Sequence, residues 1–103
     1  MKLGLKNIER ISKALGDPYR LKIMESVQKE KDFLPCTTIV DMICLNQSTI
    51  SHHVKQLIDA DLLFAEKDGR NVKYAVNREV FDEYIDYLSQ FGTKELANTI
   101  KEH

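Results

Sequence analysis

Apolar residues recur at helical spacing through most of this chain. Ile8, Ile11 and Leu15 lie three and four apart and predict a helix over 5–15. Gly16 then ends it in the manner of a glycine beyond a helix C-terminus. Asp17-Pro18 restarts the chain: Asp is a good N-cap, and the N–H that Pro lacks has no helical partner at the first position anyway. A second helix is predicted over 18–29, with Leu21, Ile23, Met24 and Val27 turned inward. Glu30-Lys31-Asp32 is polar and reads as a loop. A short helix over 36–43 follows, carrying Ile39, Val40 and Ile43, then Cys44-Leu45-Asn46, which has room only for a turn, then a longer helix over 47–60. A short helix, a tight turn and a longer helix form a helix-turn-helix arrangement.

The periodicity then changes from helical to alternating. Leu63-Phe64-Ala65-Glu66-Lys67 and Val72-Lys73-Tyr74-Ala75-Val76 flank Asp68-Gly69, and Val72, Tyr74 and Val76 take alternate places. Asp-Gly between two such runs predicts a β-hairpin, with Asp68 and Gly69 at its tip, because Gly accepts positive φ without steric cost. Asn77 caps a final helix over 78–91, Gly92-Thr93 interrupts it, and 94–101 forms a last turn or two. The fold class is therefore mainly α with a small two-stranded hairpin and about five helices.

Composition narrows the function more than the fold. A chain of 103 residues predicts a single domain with one modest core, and domains of this size often gain further core by pairing. No apolar run approaches the ~20 residues of a membrane span, and the start lacks the apolar stretch of a signal peptide; the expected setting is cytoplasmic, with no membrane partner. Two cysteines make no disulfide framework. No nucleophile–base pair, glycine-rich phosphate loop or paired carboxylates in recognisable spacing suggests an enzyme. The formal net charge of −1 counts mildly against nucleic-acid binding, whose affinity comes largely from neutralising phosphates. A DNA-binding reading must rest on local features.

The helix over 47–60 supplies them. At about 100° per residue, Ile50, Val54, Leu57 and Ile58 form one stripe. Ser48, His52, Lys55, Gln56 and Asp59 lie opposite, with Thr49, Ser51 and His53 on the flanks. Short hydroxyls, an amide, an imidazole and a lysine can all reach base edges or phosphates in a major groove. Taken alone, the same face also reads as ordinary solvated surface.

The order of parts removes much of that ambiguity. Lys13-Ala14-Leu15-Gly16-Asp17-Pro18-Tyr19-Arg20-Leu21-Lys22-Ile23-Met24, Gln47-Ser48-Thr49-Ile50-Ser51-His52-His53-Val54-Lys55-Gln56-Leu57 and Gly69-Arg70-Asn71-Val72-Lys73-Tyr74 resemble three motifs of the ArsR/SmtB-type winged helix repressors. The likeness runs from Lys13 to Val76. It implies a winged helix-turn-helix over 1–103, with N- and C-terminal helices for dimerisation. It further implies a homodimeric repressor that leaves double-stranded operator DNA on a signal. By carry-over, Gln47, Ser48, Thr49, Ser51 and His52 contact the groove, while His53 either touches phosphate or packs. Lys55, Gln56, Arg70 and Lys73 complete the DNA-binding set, with Arg70 entering a minor groove from the wing. Two residues depart from the pattern: Asp61 stands for a usual Gly, and Tyr19 for a Thr.

On the last helix Val80, Phe81, Tyr84, Ile85, Tyr87, Leu88 and Phe91 span an arc of about 160°, wider than the ~100° stripe that one core requires. The excess predicts a dimer interface made by Ile8, Ile11, Phe81, Tyr84, Tyr87, Leu88 and Phe91. Relatives with metal sites place cysteines where this chain has Pro35 and Thr37, or Asp, His and Glu where it has Arg78, Val80, Phe91 and Lys94. The expectation is no metal, no cofactor and an effector that the sequence does not declare. Cys36 and Cys44 lie eight apart, ~12 Å along a continuous helix, too far for a disulfide. A winged helix used for protein–protein contact without DNA is the alternative.

Overall fold

The computed structural model describes residues 3–30, 33–43 and 45–92; the turn expected at 94–101 and the side chains of Val40 and Cys44 lie outside them. The elements run α1 (Leu5–Leu15), α2 (Pro18–Gln28), β1 (Leu34–Pro35), α3 (Cys36–Met42), α4 (Gln47–Asp59), β2 (Leu63–Asp68), β3 (Asn71–Val76) and α5 (Arg78–Ser89). No helix among the described residues is long and apolar enough to cross a membrane.

Three of the helix starts have a local side-chain cause. The Asp17 carboxylate accepts the N–H groups of Tyr19 at 2.8 Å and Arg20 at 3.2 Å, closing the N-terminus of α2. Slight burial pushes that carboxyl up, but the two bonds and the nearby Arg20 guanidinium outweigh it and hold it below its ordinary value. Asn46 Oδ1 accepts Thr49 N–H at 2.8 Å at the start of α4, and Asn77 Oδ1 accepts Val80 N–H at 3.4 Å at the start of α5. Gly16 behaves differently from expectation. Its φ is −83°, so left-handed backbone is not why glycine sits there. A Cβ would lie 3.4 Å from the Ser12 carbonyl oxygen, an ordinary contact distance, so nothing in the backbone or its surroundings demands glycine there.

Helix α4 ends in a left-handed cap at Asp61, with φ of 62°. Leu62 N–H donates to the Leu57 carbonyl and Asp61 N–H to that of Ile58, each at 2.9 Å, which is the paired bonding of a Schellman motif. Leu57 and Leu62, both fully buried, make the apolar contact that accompanies it. Asp tolerates this conformation better than most residues, whereas a β-branched side chain does not. Asp61→Val is therefore expected to cost about 1–2 kcal/mol, the scale of left-handed strain. Thermal melts check this, and an unchanged midpoint would show that the cap carries no such strain.

The wing has three strands rather than two. β2 and β3 pair antiparallel from Leu63↔Val76 to Asp68↔Asn71. That register leaves Gly69 and Arg70 as the two loop residues and draws Asp68 into the strand, one place from where the sequence suggested. Gly69 has φ of 65° and Arg70 has no positive φ, as in hairpins with glycine at the first central position. β1 adds to the far side of β3 through Leu34↔Tyr74 and Pro35↔Lys73, giving the order β1-β3-β2. Two residues ending in Pro carry no readable period, and Pro is tolerated because β1 is an edge strand.

The core joins all of these layers. Ile11 of α1, Ile23 and Val27 of α2, Ile39 of α3, and Ile50, Val54 and Leu57 of α4 are its most enclosed side chains. Leu21 is not part of it. It is 45% exposed and borders an apolar hollow of about 410 Å³ with Met24, Phe81 and Ile85. The expected dimer set also divides. Ile8, Ile11 and Tyr84 are buried within the protomer, at 8%, 1% and 8% exposure. The Tyr84 hydroxyl meets Ser12 Oγ at 2.9 Å, tying α5 to α1. These three residues leave little surface outside the protomer. Phe81 and Tyr87 are half-buried, while Leu88 and Phe91 stand exposed beside Ile85.

Candidate nucleic-acid interface

The apolar stripe of α4 decides which of its polar groups face out. With Ile50, Val54 and Leu57 turned into the core, Gln47, Ser48, Ser51, His52, Lys55, Gln56 and Asp59 are all exposed. Thr49 and His53 are half-buried on the flanks. The Lys55 ammonium lies 2.9 Å from the Asp59 carboxylate one turn on, an exposed pair that is readily exchanged for another partner.

The folding of the wing brings distant residues to the start of α4. Gln47 and Ser51 share one hollow of about 430 Å³ with Arg70, Asn71, Val72, Lys73 and Tyr74 of the hairpin and with Pro35, Cys36 and Thr37. Arg70 is exposed at the hairpin loop. The N-terminal half of α4 and the wing tip thus border one concave surface, with a guanidinium at one rim and amide and hydroxyl groups at the other.

Three sequence-level candidates look different in place. The Lys73 ammonium is 3.6 Å from the carboxylate of Glu66, its cross-strand neighbour, and 5.1 Å from the ring centre of Phe33. This pair too is exposed and exchangeable, but together with the ring it gives Lys73 protein partners with which a phosphate would compete. His53 also has protein partners. Arg20 Nη1 lies 3.1 Å from His53 Nδ1, and the ring of Tyr19 is 5.9 Å from the imidazole. Of its two sequence readings, packing is the one with observed partners, and Tyr19 acquires a role that its place in the motif did not suggest. Thr49 offers only part of its side chain outward.

Thr37 and Asn71, both exposed on the rim of the hollow, were not anticipated. Their only signal is position: Thr37 lies in the first turn of α3, and Asn71 beside the wing tip. Tyr74, on the floor, is buried. Burial first, then the charge and hydrogen bond of the neighbouring Cys36, push its hydroxyl up to about 12. The phenol therefore stays neutral. Among the described residues, no group of three or more His, Cys, Asp or Glu side chains is placed to hold a metal ion.

Comparison with known proteins gives a consistent answer. The family model described as "Bacterial regulatory protein, arsR family" matches residues 17–63. The chain is 31% identical over 88 residues to an arsenical resistance operon repressor of Staphylococcus xylosus, covering 85% of this chain and 79% of that one. It is 33% identical over 75 residues to an arsenical resistance operon repressor of Bacillus subtilis, covering 73% and 70%. Among solved structures, an ArsR-like transcriptional regulator from Rhodococcus sp. RHA1 superposes with a TM-score of 0.74 at 17% identity, over 95% of this chain and 92% of that one. A homodimeric winged helix-turn-helix DNA-binding domain from Mycobacterium bovis gives 0.68 at 20% identity, over 91% and 85%. At these identities the structural matches speak for the winged helix-turn-helix fold.

Proposed function

The chain belongs to the arsR family of bacterial regulatory proteins, and from that premise we propose that it is a dimeric repressor that holds double-stranded DNA until a signal releases it. It is a DNA-binding transcriptional regulator. Its curated relatives are named as repressors, and the protein-only reading of the winged helix has no observation in its favour. The single observation that carries the mechanism is the hollow shared by Gln47, Ser51 and Arg70. A helix in the major groove and a wing tip beside it engage the same duplex only if the fold brings them to one surface.

In this reading Gln47, Ser48, Ser51 and His52 read base edges, with Lys55 and Gln56 along the same face. Gln suits adenine through two bonds, and the hydroxyls serve base or phosphate. Arg70 reaches the backbone or the minor groove from the wing. Lys73 and Thr49 play smaller parts, and His53 braces the helix. The whole of 1–103 acts as one domain, in the cytoplasm, and its protomers pair through the outer face of α5. Pairing sets two recognition helices on successive half-sites about one helical turn apart. It also brings two sets of groove-facing groups to one duplex, so that their contacts add despite the lack of a net positive charge.

The test is affinity against salt. The duplex that the chain selects from a random-sequence pool should bind with a steep negative salt slope, which a protein–protein contact would not show. Arg70→Ala should weaken binding and reduce the slope by about one phosphate-equivalent per protomer. A slope unchanged by the substitution would remove Arg70 from the backbone contacts. A chain that selects no duplex would overturn the DNA-binding role itself.

A further inference from the structure

Arg20 lies outside the face that α4 presents, yet its side chain makes three polar contacts behind it. Its Nε donates to the Ala14 carbonyl at 2.6 Å, its Nη2 to the Lys13 carbonyl at 3.4 Å, and its Nη1 lies 3.1 Å from His53 Nδ1. The two carbonyls belong to the last turn of α1, where a cation is favoured; that of Lys13 also accepts the Gly16 N–H at 3.2 Å. A guanidinium only donates, and its nitrogens lie in a fixed plane. The bond to His53 therefore requires a lone pair on Nδ1, which places the ring proton on Nε2. The fork begins on α2, is anchored on α1 and ends on α4. Asp17 accepts the Arg20 backbone N–H, and the Tyr19 ring lies against the imidazole, so the base of the fork and its target are both held.

We infer that Arg20 is a positioning residue for DNA reading: without touching DNA, it fixes the roll of α4 relative to α1 by gripping His53. This rests on the DNA-binding role proposed above. The geometry explains the division of labour between adjacent histidines. His52 faces out, and His53, one residue and about 100° further round the helix, is the handle by which the helix is held. Rotating α4 by a fraction of that angle moves Gln47, Ser51 and His52 away from the base edges they meet, because bidentate pairing tolerates little misalignment.

The experiment compares the full chain with Arg20→Met, His53→Leu and the double variant. The duplex selected by the parent chain and a scrambled duplex of equal length are titrated across salt. Each single substitution is expected to lower the selected-to-scrambled affinity ratio about tenfold, the scale of coupling through a packed network. The double variant should lose no more than either single one, because both remove the same bond. Scrambled-duplex affinity and salt slope should not change. Nitrogen NMR of the imidazoles gives a second readout: in the parent chain His53 should carry its proton on Nε2, and in Arg20→Met both tautomers should appear.

Several results would overturn the inference. A salt slope reduced by about one would make Arg20 a phosphate contact. A lowered melting temperature with an unchanged ratio in the folded protein would make the fork merely structural. Multiplying losses, or a His53 proton on Nδ1, would break the link between the two side chains. If the parent chain selects no duplex, the DNA-binding role falls and takes this inference with it. A selected duplex whose ratio survives Arg20→Met overturns this inference alone.

Discussion

Replacing Leu88 and Phe91 together by aspartate is expected to give a folded monomer whose operator affinity has fallen on the order of 10²–10⁴-fold, the avidity that linkage of two binding units supplies. The choice follows from how α5 divides. Val80 and Tyr84 face the protomer core, whereas Leu88 and Phe91 are 41% and 67% exposed. In a two-fold interface each substitution occurs twice, so the pair sets four carboxylates against an apolar surface and against one another. The cost falls on association rather than on folding, since these side chains contribute little to the core. Tyr87→Asp is a less clean probe. Tyr87 is half-buried and packs against the protomer core, so its loss also disturbs the protomer. Sedimentation reads the oligomeric state, circular dichroism reads the fold, and anisotropy reads the affinity. Dimers that persist in the double variant would assign the interface to another face.

His52→Glu is expected to cost about 100-fold or more in binding to the selected duplex, while the melting temperature stays put. The side chain is exposed in the middle of the polar face of α4, so its exchange removes nothing from the core. Glu is, moreover, a better helix former than His. Against DNA the effect is large, because a carboxylate placed toward phosphates or base acceptors sets like charge against like, at several kcal/mol, and each 1.4 kcal/mol is about tenfold. The neighbouring His53 provides the contrast: its substitution acts through Arg20 and leaves affinity for scrambled DNA intact. Equal binding by His52→Glu and the parent chain would move the reading surface off this helix.

The sequence revealed the elements more fully than their partners. Helical spacing predicted α1 at its observed ends, and the change of period at Leu63 located the hairpin within one residue of each strand end. Both are local signals. Periodicity finds the apolar face of a helix but not what covers it. Ile8, Ile11 and Tyr84 thus looked available for a second subunit while the protomer's own core takes them, and Leu21 looked internal while it stands at the edge of a hollow. Lys73 looked like a free cation because Glu66 meets it only through the strand register. The Arg20–His53 bond joins residues 33 apart, and no pattern within a window reports such a pair. On the polar face of α4 the wheel did better, because burial of Ile50, Val54 and Leu57 dictates exposure opposite them; only Ser51, placed on the flank but exposed, and Ile58, placed in the stripe but half-buried, depart from it. Thr37 and Asn71 were missed for the complementary reason: the hollow they border is made by three separate segments.

The short strand β1 has a consequence for how DNA is met. It hydrogen-bonds to β3 of the wing and runs without a break into α3, and α3 packs on α4. Wing and recognition helix are consequently parts of one rigid body rather than two arms joined by a linker. Their relative placement is set largely by folding, which lowers the ordering entropy left to oppose a duplex at encounter. In the DNA-binding role proposed above, a clamp held in this way favours a narrow range of groove widths between Arg70 and Gln47. It thereby discriminates among duplexes by shape, even at base pairs that no side chain touches.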